Sequence, residues 1–481
     1  MPRLLLINPS NSLVNMAKTS RSRWSRYRVW KPLGLMVLAG LTPKDWQTSI
    51  VDENLGVPDY GSLPRPDLVG ITAFTSQASR AYDIAAHFRA RGVPVVMGGI
   101  HATMCQDEAR QRVDSVVTRE AEEVWPQVLS DTSHGRLRPL YEGGLADIGK
   151  VRPARHDLLA PDYALGAIQT TRGCPLSCSF CSVTAFNGAR YRQRPIADVV
   201  EEFRSIREKR VFVVDDNLIG TTTAQIDRAK ELFRALACAN LHKQWVAQTT
   251  INFADDEELL TLAARAGCAG VFIGFESPTP EGLAEIGKKF NLSKARNFPA
   301  SVRRIRRHRM MVVGSFMIGL DVDRKGIGRH IARTANNYGV DNPQRLLSHP
   351  LAGDPALGPD EGTGTHPLEP LPQGLEVLHP YASGRALRRP LTGKRYRGDD
   401  HLQPELLFHA WHSRKNGRER LSSTQPALQP GAQPILPPQL PASHEGVCGL
   451  QARARGKIPG DSRRTGWQPI EEREAPGLWS G

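Results

Sequence analysis

Cys174, Cys178 and Cys181 are the residues of this chain best suited to hold a metal. They lie in Thr171-Arg-Gly-Cys-Pro-Leu-Ser-Cys-Ser-Phe-Cys-Ser182 with C-x3-C-x2-C spacing. A [4Fe–4S] cluster ordinarily takes four cysteine thiolates, so a compact set of three leaves one iron open to something other than protein. A structural zinc site would want four ligands, and a disulfide framework an even number of cysteines in a short secreted chain. Neither matches seven cysteines in 481 residues. A chance grouping in a loop is the plain alternative, and the flanking sequence speaks against it.

Upstream of the loop, Ala167-Ile-Gln-Thr-Thr171 is a short β-type run; downstream come Tyr191-Arg-Gln-Arg-Pro195 and an amphipathic helix expected from Ile196 to Arg210. With Phe180 directly before the third cysteine, this stretch resembles the radical S-adenosylmethionine (radical SAM) superfamily. The resemblance implies that the open iron chelates the amino and carboxylate groups of S-adenosylmethionine, and that one electron from the cluster cleaves it to a 5′-deoxyadenosyl radical.

The elements that must position this loop are legible on both sides of it. From 1 to 140, apolar runs alternate with helical periods. Leu4–Ile7, Thr48–Val51, Asp67–Thr72, Val93–Met97 and Val113–Val117 read as strands, and Pro32–Leu41 and Ala78–Arg91 as helices. Short connections between such units indicate a parallel sheet covered on both faces, with ligands bound beyond the carboxyl ends of the strands. Those ends carry Asn8, Thr72 to Ser76, and Gly98-Gly99, where glycines permit close backbone approach to a ligand. On pattern alone a nucleotide-binding or purely structural domain is equally open.

Placed before the cysteine loop, and with Val96-Met-Gly-Gly-Ile-His-Ala102 and Pro66-Asp-Leu-Val-Gly-Ile-Thr72, this segment resembles the cobalamin-binding domain of B12-dependent radical SAM proteins. The resemblance implies cobalamin contacts from Asn8, Thr72, Ser76, Gly98 and Gly99. The D-x-H-x-x-G motif that supplies a cobalt-ligating histidine is absent, and His101 does not replace it. Cobalamin bound without histidine ligation is therefore expected. A second departure is Thr118-Arg-Glu-Ala-Glu122, where related chains begin with glycine.

From 165 to 343 the strands continue: Val211–Val214, Trp245–Thr250, Val271–Glu276 and Val312–Gly319, with helices over Thr222–Ala237, Asp255–Ala266 and Phe298–Arg309 between them. This reads as a partial (β/α) barrel, whose chemistry belongs at the carboxyl ends of its strands. The resemblance assigns Asp215, Asp216 and Asn217 to the amino group of S-adenosylmethionine, Glu276 and Ser277 to its ribose, and Gly314 to Asp321, including Gly319, to the neighbourhood of the adenine. Asp215-Asp216-Asn217 would also serve as a helix N-cap. Cys105, Cys238, Cys268 and Cys448 have no partner spacing and read as buried or incidental thiols.

The fold class expected is α/β. A doubly wound, flavodoxin-like cobalamin-binding domain (1–140) leads through a linker (141–164) to the radical SAM barrel (165–343) and a Pro-rich tail (344–481). The tail reads as disordered or frame-disrupted: residues 343–481 hold 19 of the 36 prolines, and the resemblance stops where a sixth barrel strand is due. Loss of that strand is the expectation, and with it a catalytically inactive remnant becomes an alternative reading.

The net charge of +14 suits an anionic partner without choosing one. Lys18 to Lys31 interleaves six basic residues with Trp24, Tyr27 and Trp30, which would suit RNA or a lipid head group, but a solvated loop is the simpler reading and nucleic acid is not expected. There is no signal peptide and no apolar run long enough to span a bilayer, so a reduced, cytoplasmic protein is expected, with peripheral membrane contact open. The function expected is cobalamin-dependent methyl transfer to an unactivated centre of a small-molecule or lipid-like substrate, with flavodoxin or ferredoxin as electron donor. Cyclase or oxidase chemistry of lipid or pigment biosynthesis is the alternative within the family, and RNA modification a further one.

Overall fold

Leu4, Leu5, Leu6 and Ile7 form an uninterrupted apolar run, and such a strand persists only when both of its faces are covered. The computed structural model, which describes residues 1–11, 31–159, 163–176, 178–294 and 297–347, shows how they are covered. Strands β1 (Arg3–Asn8), β2 (Gln47–Asp52), β3 (Leu68–Thr72), β4 (Val95–Gly98), β5 (Ser115–Thr118) and β6 (Leu140–Glu142) form one parallel sheet in the order 2-1-3-4-5-6. On one face Leu5, Ile7 and Val69 pack with Ala81, Ile84 and Phe88 of helix Ala78–Arg89. On the other, Leu4, Leu6 and Leu68 pack with Leu35 of helix Leu33–Leu41 and with Trp125 and Val128 of helix Trp125–Ser133.

The five strands expected from the sequence are all present. β6 and helix Trp125–Ser133 were not foreseen. β6 is only three residues long, and the helix is rich in Ser, Asp and Thr, which are poor helix formers; tertiary packing of Trp125, whose indole N–H donates to Thr42 at 2.9 Å, holds it.

The second sheet begins with β7 (Gly166–Ile168). It is followed by a short antiparallel pair, β8 (Thr171–Arg172) with β9 (Arg192–Gln193), which brackets the cysteine loop. Then come β10 (Arg210–Val213), β11 (Gln244–Thr249), β12 (Cys268–Glu276), β13 (Met311–Ile318) and β14 (Asn342–Leu347). The sheet runs 14-13-12-11-10-7, all parallel, as a partial barrel with helices such as Thr223–Ala239, Glu257–Arg265 and Phe298–Arg307 on its outer face. Helix Ile196–Ser205 is shorter than expected, because Ile206 is already extended.

β14 corrects the expectation that the sixth strand is lost at residue 343. Pro343 pairs with Gly314 inside that strand. Proline cannot donate to a ladder, but β14 lies at the edge, where one side of the strand needs no donor. The barrel domain therefore extends to Leu347. The expectation for the tail itself falls on residues 348–481, outside those described. Among the described residues no helix is long and apolar enough to cross a membrane.

Candidate cofactor site

The carboxyl edge of the second sheet gathers most of the polar residues singled out above. The three cysteines are half-buried, and burial pushes all three thiols up, Cys181 to about 12. Ligation of a metal would require each to lose its proton. The ammonium of Lys288 acts in the opposite direction on all three, which brings this lysine to the loop. Phe180 packs against Ile286, Met317 and Leu320, and Ser179 N–H donates to the Ile286 carbonyl at 3.3 Å.

Asp215 and Asp216 secure the base of that loop. Asp215 is fully buried and accepts from Thr170 N–H (2.6 Å), Thr170 Oγ1 (2.5 Å) and Thr171 Oγ1 (2.9 Å); burial pushes its carboxyl up to about 6 against those hydrogen bonds. Asp216 accepts from Gly173 N–H (2.9 Å) and Asn187 Nδ2 (3.0 Å), and burial raises it as well. Asn217 differs: its amide Oδ1 and Nδ2 are buried with no hydrogen-bond partner among the described residues. A buried amide left this way costs free energy that a bound polar ligand would recover. The three soft thiol donors, with Asp216, Glu276 and Lys288 acting on them, fit a three-cysteine cluster with a polar ligand on its open iron.

Glu276, at the end of β12, has a left-handed φ of +69°, uncommon for a residue with a side chain. Its carboxylate accepts from Lys288 Nζ at 2.8 Å and Ser315 Oγ at 3.5 Å. Both members of the Glu276–Lys288 pair are buried. Burial works against the charge of Lys288, but Glu276 and the cysteines outweigh it, and its net shift is upward. A Cβ on Gly274 would fall 2.0 Å from the Glu276 carboxylate, so glycine there makes room for it, while Asn291 Nδ2 donates to the Gly274 carbonyl at 2.8 Å and braces the bend. Lys288 and Asn291, twelve and fifteen residues beyond Glu276, belong to no motif in the sequence, and only the fold brings them to this site.

The remaining assignments separate. Ser277 is buried with its hydroxyl accepting from Thr279 N–H at 3.3 Å, close to the start of helix Pro280–Glu285. Gly319 has φ +102° and donates to Asp323 at 2.8 Å; Asp321 is exposed, its N–H bound to Glu285. Gly314 lies within β13 rather than at its end. A Cβ there would meet Phe275 at 2.9 Å and Val340 at 3.0 Å, so this glycine serves core packing. Cys268 and Cys105 are buried and Cys238 is exposed; Cys448 lies outside the described residues.

In the first sheet, Asn8 at the end of β1 and Thr72 at the end of β3 flank the point where the strand order reverses, the usual ligand crevice of such sheets. Asn8 donates to Asp52 (2.9 Å) and accepts from Gln77 (3.1 Å); exposed Ser76 accepts from Asn11 (3.2 Å). Gly98 ends β4. Gly99 has φ +90°, and a Cβ on it would lie 2.6 Å from Thr72 Oγ1, so the fold itself demands glycine at 99. His101 is buried between Tyr82 Oη (2.8 Å to Nε2) and Thr75 Oγ1 (3.4 Å to Nδ1), and burial lowers its pKa. Of the basic aromatic stretch, residues 18–30 lie outside those described. Lys31 is no exposed phosphate contact: it is buried, ion-paired with Glu208 at 2.8 Å and 5.7 Å above the Tyr163 ring.

The two domains meet in a buried ion-pair group. Glu120, just beyond β5, accepts from Arg172 Nη1 (3.0 Å), Arg192 Nη1 (2.7 Å), Arg192 Nη2 and Ala146 N–H (2.8 Å); Glu122 pairs with Arg172 at 2.7 Å. Arg119 before it has φ +56°, a left-handed conformation uncommon for a residue with a side chain.

Comparison with known proteins agrees with this architecture. The Radical SAM superfamily matches residues 168–330 and the B12 binding domain residues 25–129. The bacteriochlorophyllide d C-12(1)-methyltransferase of Chlorobaculum tepidum is 32% identical over 305 residues, 61% of this chain and 65% of that protein. The hopanoid C-2 methylase of Rhodopseudomonas palustris is 26% identical over 310 residues, 62% of this chain and 58% of that one. The chain thus spans about three fifths to two thirds of these relatives' length. Among solved structures, the radical S-adenosylmethionine methyltransferase TsrM from Kitasatospora setae, with cobalamin and a [4Fe-4S] cluster bound, matches in fold with a TM-score of 0.57 at 19% identity, covering 73% of this chain and 76% of that one. With one domain of each kind and the three cysteines at the edge of the second, this chain belongs to the radical SAM proteins that carry a B12-binding domain.

Proposed function

We propose that this chain is a cobalamin-dependent radical SAM methyltransferase acting on an unactivated centre of a small-molecule or lipid-like substrate. The observation that carries the reading is the convergence of three thiols and the buried Glu276–Lys288 pair on one sheet edge, where the Asn217 amide is also buried without a hydrogen-bond partner among the described residues. When bound, the cluster and S-adenosylmethionine supply a hydrogen-abstracting radical and cobalamin supplies the methyl group. Cys174, Cys178 and Cys181 would hold the cluster. Asn217, Glu276 and the backbone from Gly319 to Asp321 would contact S-adenosylmethionine, with Asp215 and Asp216 fixing the loop from below. Asn8, Thr72, Ser76 and Gly98 would border the crevice for cobalamin. Both ring nitrogens of His101 are occupied by Tyr82 and Thr75, which supports binding without this histidine on cobalt. A small electron carrier such as flavodoxin or ferredoxin would reduce the cluster.

The test is anaerobic incubation of the reconstituted protein with S-adenosylmethionine, cobalamin and a reductant. Formation of 5′-deoxyadenosine by the wild type, absent from the Cys174→Ala/Cys178→Ala/Cys181→Ala variant and retained in Cys238→Ala, is the expected result. Equal turnover by the triple variant would refute the assignment. Compounds that accumulate in a deletion strain, then supplied as substrates, would test the methyl transfer.

A further inference from the structure

We infer that Glu120, a residue of the B12-binding domain, is a positioning residue for the cysteine loop of the radical SAM domain. Arg172 and Arg192 are directly paired across the antiparallel β8–β9 ladder, and the cysteine loop is the chain between them. The stem of that loop is therefore gripped on both strands by one carboxylate from the neighbouring domain.

The grip is built to be rigid. Glu120 is 1% exposed at its side chain, and Arg172 and Arg192 are 10% and 8% exposed. Its backbone is clamped as well: a Cβ on Gly143 would lie 2.1 Å from the Glu120 carbonyl and 2.5 Å from that of Thr118, so only glycine allows residues 118–120 and 143–146 to lie so close. Arg192 reaches onward, donating to the Asn187 carbonyl at 2.7 Å, and Asn187 Nδ2 donates to Asp216, which also holds Gly173 N–H. An unbroken chain of hydrogen bonds thus runs from the end of β5 to the residue before Cys174. Two carboxylates and two guanidinium groups balance in charge. A buried ion pair is seldom more stabilising than the apolar packing that could replace it, so stability alone is a weak reason for this group to be ionic. Directional bidentate bonds are a reason: they fix orientation as well as contact.

The inference rests on the proposed function for what the two domains carry, but its first test does not. Hydrogen–deuterium exchange of the full chain as purified, without added cofactors, compares wild type with Glu120→Gln. Amides of 171–176 and 190–194 should exchange at least about tenfold faster in the variant, with β11, β12 and β13 unchanged. Should Glu120→Gln fail to fold, Arg192→Lys, which keeps the charge but loses the fork, is read on the same peptides with the same expectation. Unchanged exchange in the loop stem, or acceleration spread over all strands, overturns the inference. In the reconstituted protein, pulsed electron paramagnetic resonance between Co(II) cobalamin and the reduced cluster gives the second readout. At matching iron and cobalt content, the distance distribution should be at least about twice as broad in the variant, and an unchanged distribution overturns the positioning role. A wild type that takes up no cobalamin or cluster would contradict the proposed function while leaving the exchange result to stand on its own.

Discussion

Glu276 shows how a single side chain marks a site. A left-handed φ costs a non-glycine residue roughly 1–3 kcal/mol, and such conformations persist where surroundings over-determine them; here Lys288, Ser315 and the space left by Gly274 do so. Lys288→Ala would leave a buried carboxylate without its counter-charge and should destabilise the protein by about 3–5 kcal/mol, read by denaturant unfolding. Asp215 yields a pH prediction. Its carboxyl is raised from 3.8 to about 6, so between those values the native state holds more of its proton than the unfolded chain does. Stability contributed by this group therefore falls as pH rises through that window, and Asp215→Asn should remove that part of the slope. The difference between the two unfolding profiles from pH 4 to 7 measures it; identical slopes would contradict it. The cysteines, Asp215–Asn217 and Glu276 were legible because each follows an apolar strand or sits at metal-ligand spacing. Lys288 was not, because its partner is defined only once β12 and the following turn are folded.

At the scale of elements, the parallel strands were legible as apolar runs, because a strand covered on both faces carries no polar alternation. What sequence could not show was where short or unfavourable strands are rescued by their neighbours. β14 contains a proline and is held by β13; β6 is three residues long and is held by β5. Glycines record the same dependence. Gly99 was read as room for a ligand, yet its hydrogen faces Thr72 Oγ1, and Gly99→Ala should cost about 1–3 kcal/mol through both φ and contact, a loss visible in the melting temperature. Gly143→Ala should cost more, because its Cβ would meet backbone carbonyls rather than a side-chain tip. If both variants melted with the wild type, the packing described at these two turns would be wrong.

At the scale of the molecule, the domains are joined by charge as well as by chain. Besides the Glu120 group, Lys31 pairs with Glu208, and the linker is tied to each domain: Tyr163 donates to Asp52 at 2.7 Å in the first, and His156 Nε2 lies 3.1 Å from Glu202 in the second. Removing one partner of a buried pair leaves the other unpaired, so Lys31→Ala should lower stability by about 3–5 kcal/mol, read by denaturant unfolding. The domain order was legible from composition and motif, whereas these contacts join residues far apart in the chain and had no local signature. The central claim is that one chain carries a three-cysteine cluster in the second domain and cobalamin in the first. Its most direct test is metal and corrinoid analysis after anaerobic reconstitution. The wild type should hold about four irons and one cobalamin per chain, and the triple cysteine-to-alanine variant should hold the cobalamin alone. Equal iron in both proteins, or no cobalamin in either, would contradict it.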